Sequence, residues 1–139
     1  MKFEITFERI YPHPPEKVWR SIIDPAALGE WLMETDFEPE AGREFKMWCD
    51  DGAGGTDTYI CNVLEYEPPK RMLWSWVLDG SQSLGETQVE FRVAPVSGGS
   101  KITITHSGDR DADTIEKFKG GWPVKLDALD GVLSATREI

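Results

Sequence analysis

Apolar side chains recur at every second position over six stretches of the chain and at helical spacing over three others. Lys2 to Tyr11 sets Phe3, Ile5 and Phe7 on one side against Glu4, Thr6 and Glu8 on the other, the period of a half-buried strand. Arg43 to Cys49 sets Phe45, Met47 and Cys49 against Lys46 and Trp48, and Thr56 to Tyr66 returns after the flexible turn Asp50-Asp51-Gly52-Ala53-Gly54-Gly55. Met72 to Leu78 carries Met72, Trp74, Trp76 and Leu78 on one face and Leu73, Ser75 and Val77 on the other, so both faces hold apolar bulk. Gly85 to Ala94 sets Val89, Phe91 and Val93 against Gln88, Glu90 and Arg92; Lys101 to His106 sets Ile102, Ile104 and His106 against Lys101, Thr103 and Thr105. Short turns join these later stretches, so neighbours are expected to pair antiparallel.

The helical stretches flank the strands. Pro12-His13-Pro14-Pro15 ends the first strand and opens a helix whose inward stripe is Val18, Trp19, Ile22 and Ile23. Asp24-Pro25 breaks it and starts a second short helix to Leu32, with Asp as N-cap and Pro at the first helical position. Near the end, Gly120-Gly121-Trp122-Pro123 predicts another start, Pro123 opening a helix that runs to Ile139. Trp122, Leu126, Leu129, Val132 and Leu133 share one side of it; Ala128, Ala135 and Ile139 widen that side, and Asp127, Asp130, Ser134, Arg137 and Glu138 face away. Before the glycine pair, Thr114 to Lys119 predicts a separate short helix capped by Asp111 or Asp113, placed where a lid would hinge. Together the elements predict a single α+β domain over 1–139: a curved six-stranded antiparallel sheet wrapped around a long C-terminal helix, with two short helices after the first strand. That is a helix-grip arrangement.

Composition narrows the partners. Forty per cent of residues are apolar, with six Trp and six Phe, enough for a real core. A net charge of −10 repels nucleic-acid backbones and anionic membranes, so neither is an expected partner. No secretory h-region or membrane-length apolar run occurs, which makes the cytoplasm the expected compartment. A hairpin turning about Gly54-Gly55 would set Cys49 opposite Cys61, and two free thiols are expected there.

Candidate chemistry is sparse. Tryptophans combine a large apolar body with one N–H, which suits an apolar pocket that orients its ligand. His106 points inward by alternation with Ile102 and Ile104, and could hydrogen-bond a ligand or act as a general base. No serine or cysteine sits in a nucleophile elbow. Asp109-Arg110-Asp111-Ala112-Asp113 begins like a calcium loop but has Thr114 where a glycine is required and Gly120 where a bidentate Glu is required. Asp36, Glu38 and Glu40 alternate in a link and are expected to face water. No metal or cofactor is expected.

Several ordered segments carry a family resemblance. They are Pro14-Pro15-Glu16-Lys17-Val18-Trp19 with Asp24-Pro25 and Trp31; Glu65-Tyr66-Glu67-Pro68-Pro69-Lys70-Arg71-Met72-Leu73-Trp74-Ser75-Trp76; and Ile102-Thr103-Ile104-Thr105-His106-Ser107-Gly108 with Gly121-Trp122 and the Leu126/Leu129/Leu133 ladder. The set resembles the family related to the C-terminal domain of the activator of Hsp90 ATPase, within the START-like, Bet v 1-like superfamily. The resemblance implies a cavity between sheet and long helix and a small hydrophobic or aromatic ligand, held without catalysis. Trp48, Trp74, Trp76, His106, Trp122 and Leu126 are the expected cavity residues. Two alternatives follow from the same superfamily: a cyclase- or hydrolase-like enzyme with His106 as base, and a co-chaperone-type module whose partner is an Hsp90 homologue. The eukaryotic co-chaperone joins this domain to an N-terminal Hsp90-binding domain that these residues do not supply, so ligand binding is the preferred expectation. Monomer and edge-strand homodimer are both compatible with the pattern.

Overall fold

The structure is a computed structural model, and it describes residues 1–135. Strand β1 (Lys2–Tyr11) leads into helices α1 (Pro15–Ile23) and α2 (Pro25–Trp31). Strands β2 (Glu34–Thr35), β3 (Glu44–Asp50), β4 (Thr56–Glu67), β5 (Arg71–Leu78), β6 (Thr87–Val96) and β7 (Gly99–Asp109) follow, and α3 (Ala112–Ala135) closes the described chain. All neighbours pair antiparallel in one seven-stranded sheet ordered β1-β7-β6-β5-β4-β3-β2. The expected helix-grip architecture is present. The additional strand, β2, is only two residues long and pairs Glu34 with Trp48 and Thr35 with Met47.

The alternation seen along each strand becomes a buried face. Phe45, Met47, Val63, Met72, Trp74, Val89, Phe91, Ile102 and Ile104 are all buried, while Lys46, Arg92 and Ala94 between them are exposed. Within β4 the register shifts between Val63 and Glu65, leaving Leu64 exposed as the extra residue of a bulge. The bulge resets the phase, so that Tyr66 faces inward and its ring meets Trp19 of α1 at 6.0 Å. Asp24 caps α2, accepting from the Ala26 N–H.

Two expected details are corrected. The β3–β4 hairpin pairs Cys49 with Asp57 and Cys61 with Phe45, so the cysteines do not face each other. The turn centres nearer the aspartates because the Asp50 carboxylate accepts from the Gly52 N–H, and that of Asp51 from Ala53 and Gly55. Gly52 and Gly54 supply the positive φ that this tight path requires.

The second correction concerns α3, one continuous helix that runs through Gly120, Gly121 and Pro123. There is no separate lid helix; Asp111 caps the whole element, its carboxylate accepting from the Thr114 N–H. Tertiary packing overrides the local breakers. Ile115, Phe118, Trp122, Leu126, Leu129 and Leu133 form one ridge, each three or four residues after the last, and that ridge lies against the sheet. Beyond Pro123, β1 ties the helix down. Arg9 Nη1 reaches Asp127 at 2.6 Å, Arg9 Nη2 donates to the Pro123 carbonyl at 3.3 Å, and the Tyr11 hydroxyl donates to the Leu126 carbonyl at 2.7 Å. Ala128 and Ala135 are exposed, since they stand roughly a third of a turn away from the ridge. Arg137, Glu138 and Ile139 lie outside the described residues.

Candidate functional site

Sheet and helix close tightly at one end and part at the other. A cavity of about 290 Å³ lies at the end where α3 begins. Its sheet wall is formed by Tyr59, Trp76, Leu78, Thr87 and His106, with Cys49 at one margin. The helix wall is a single stripe: Thr114, Lys117, Phe118, Gly121, Trp122 and Lys125. Met33, after α2, adds a further side. Leu84, in the link between β5 and β6, contributes an apolar side chain that is 61% exposed, so it marks the mouth. Arg110 fixes that link, its guanidinium donating to the carbonyls of Leu84 and Gly85 at 2.9 and 2.7 Å.

His106 is the centre of the aromatic wall. Its ring stacks on Trp76 at 5.7 Å and 13°, meets Phe118 at 4.3 Å and stands edge-on to Phe3 and Trp122. Both ring nitrogens are engaged. The Trp122 indole N–H donates to Nδ1 at 3.1 Å, so Nδ1 holds a lone pair and the proton sits on Nε2. Nε2–H then donates to Thr87 Oγ1 at 2.9 Å, and the Thr87 hydroxyl points on to the Trp76 carbonyl at 3.5 Å. Burial, aided by the Arg110 charge, lowers the His106 pKa to about 4, so the ring is neutral near pH 7. Gly108 makes this arrangement fit. Its φ is +155°, and a Cβ there would stand 2.8 Å from the Thr87 side chain.

Lys125 enters the cavity from the helix. It is half-buried, and Nζ donates to the Leu32 carbonyl at the end of α2 at 3.1 Å. Burial pushes its pKa below the ordinary lysine value. Burial likewise raises the Cys49 thiol, so that sulfur is a thiol and not a thiolate. Among the described residues no group of three or more His, Cys, Asp or Glu could hold a metal ion.

The sequence profile described as "Activator of Hsp90 ATPase homolog 1-like protein" matches residues 12–134. The chain belongs to that family. Among solved structures, protein MLL2253 of Mesorhizobium loti is 31% identical, with 96% of this chain and 98% of that one covered and a TM-score of 0.86. Protein CV1439 of Chromobacterium violaceum is 27% identical over 94% and 96% of the two chains, with a TM-score of 0.83. CalU16 of Micromonospora echinospora, at 24% identity, 96% and 77% coverage and a TM-score of 0.77, shares the fold. No curated protein matches the chain. No helix among the described residues is long and apolar enough to cross a membrane.

In this Hsp90-activator-homologue domain the six expected cavity residues divide evenly. Trp76, His106 and Trp122 line the cavity together. Trp74 does not: it is fully buried among Phe37, Phe45 and Phe91, with ring centroids at 5.1, 4.9 and 4.5 Å. Leu126 is buried in the core ridge, one turn past Trp122. Trp48 stands on the opposite face from Phe45 and Met47, across from Glu34 and Thr58, as its own place in the alternation required. The indole N–H groups of Trp74 and Trp76 are both buried without an acceptor among the described residues.

Sequence reasoning missed Thr87, Phe118, Gly121 and Lys125. The last three had a legible signal, because they share the helical stripe of Trp122 once the glycine pair is not taken as a boundary. A lysine inside that stripe is the anomaly that marks it. Thr87 had no such signal; its role depends on cross-strand register, where it lies opposite Trp76.

Proposed function

We propose that this domain is a non-enzymatic binder of a small molecule with an apolar, aromatic-compatible body, taken up between the sheet and α3. The observation that carries this is the 290 Å³ space faced by Trp76, His106, Phe118 and Trp122, in a fold whose other end is densely packed. Membership in a START-like family supports the same reading. The His106 geometry favours holding over catalysis. A general base needs a free lone pair, and Nδ1 already accepts from Trp122.

Uptake is tested with N-phenyl-1-naphthylamine, a neutral probe whose fluorescence rises in apolar surroundings. A saturable rise is expected, together with quenching of tryptophan emission. A Cβ at Gly121 would meet nothing within 4 Å, so Gly121→Leu extends a side chain into the open space and should abolish the signal. A flat titration, or an unchanged one in folded Gly121→Leu, would refute uptake at this site.

A further inference from the structure

The acidic side chains among the described residues avoid the cavity. The chain carries 25 Asp and Glu against 15 Lys and Arg. Yet among the described residues the cavity is lined by three cations, Arg110, Lys117 and Lys125, and by no carboxylate. Elsewhere carboxylates gather around cations on the outer surface: Arg71 with Glu65, Glu67 and Glu90, and Arg9 with Asp127. With acids in such excess, random lining of a cavity of this size would include several.

Lys125 is the most informative of the three. Arg110 gives its guanidinium to backbone carbonyls at the mouth, and Lys117 is exposed. Lys125 is half-buried in a wall it shares with Met33, Tyr59 and Trp76, and its one hydrogen bond among the described residues goes to the Leu32 carbonyl. An ammonium has three donors, so two remain. Holding a cation in apolar surroundings without a counter-ion opposes folding, and an apolar side chain of the same length would pack there at lower cost. Its lowered pKa expresses the same unmet charge. An arriving anion would supply the missing partner and form a charge-assisted hydrogen bond in a site of low dielectric. Lys117 and Lys125 stand two turns apart on α3, about 12 Å along its axis. An anion seated at Lys125 therefore leaves the space beside Trp122, Gly121 and Phe118 for the apolar body.

We infer that the ligand of this cavity is an amphiphilic anion, an aromatic or alicyclic body bearing a carboxylate that Lys125 receives. The inference rests on the cavity reading above, and its test separates the two. The probes are 2-naphthoate and 2-naphthalenemethanol, which share one ring system and differ in charge. Each is titrated at pH 7 into wild type, Lys125→Met and Lys117→Ala by calorimetry. In wild type, 2-naphthoate should bind at least about ten-fold more tightly than the alcohol. Lys125→Met should erase that preference while leaving the alcohol within about two-fold. Equal affinities in wild type would overturn the anion inference and leave the cavity reading standing, an outcome that needs no variant to fold. Binding of neither probe would overturn both. Preference lost in Lys117→Ala but kept in Lys125→Met would overturn the assignment to Lys125.

Discussion

Trp74 and Trp76 are two residues apart on β5 and share a face, yet they do opposite things. Trp74 is enclosed by Phe37, Phe45 and Phe91. Trp76 touches Tyr59, His106 and Trp122 and borders open space. The sheet is aromatic under both. What differs is the layer above: Phe37 from the link after β2 and the Leu126/Leu129/Leu133 row cover one end. The other end is faced by Gly121 and by Lys125, whose chain leads toward α2. A cavity in this fold is therefore made by withholding bulk from the covering layer, not by hollowing the sheet.

The sharpest way to break this contrast is to truncate each indole. Trp74→Ala should cost about 3–5 kcal/mol, since its neighbours are close-packed and cannot collapse into the void. Trp76→Ala should cost clearly less, because part of its surface already lacks contacts, but should abolish uptake of N-phenyl-1-naphthylamine. Urea denaturation compares the two. Equal losses would mean that the open end is as well packed as the closed one.

A second contrast lies in charge. The folded imidazole of His106 resists protonation until about pH 4, whereas an unfolded histidine takes its proton near 6.5. Between those values the unfolded chain binds more protons, so stability falls as pH drops through that window. The full loss is about 3 kcal/mol from this group, complete below the folded value and absent above the unfolded one. Denaturation at pH 7 and pH 4 measures it, and His106→Gln should show that much less pH dependence. The opposite sign, with stability rising toward pH 4, would mean that His106 gains a carboxylate partner that the geometry does not show.

The sheet was legible in the sequence because strand alternation has period two and every strand but the two-residue β2 carried it over enough residues. The helix interior was not, because Gly120, Gly121 and Pro123 are strong local signals, whereas the ridge from Ile115 to Leu133 is a pattern over many residues. Local punctuation lost to the longer pattern once the sheet was present. The candidate site suffers the same asymmetry. Inward direction was readable for Trp76, His106 and Trp122, but whether an inward residue meets a neighbour or a void depends on the opposite layer. Trp74 and Trp76 have the same alternation and the same chemistry, so nothing in β5 alone separates them.

The smallest expected effect tests that opposite layer most directly. Gly120 and Gly121 are adjacent in α3, and a Cβ at either meets nothing within 4 Å. Replacing a helix-interior glycine by alanine removes backbone freedom from the unfolded chain, so Gly120→Ala and Gly121→Ala should each stabilise by about 1 kcal/mol. Their surroundings differ. Gly120 is exposed, while Gly121 lines the cavity beside Trp122. Enlarging position 120 from Ala to Leu should leave probe affinity flat. The same series at 121 should lower it step by step, as each added carbon takes space from the ligand. Parallel affinity curves at the two positions would mean that the ligand lies elsewhere, and that the open end of the grip is only a gap between sheet and helix.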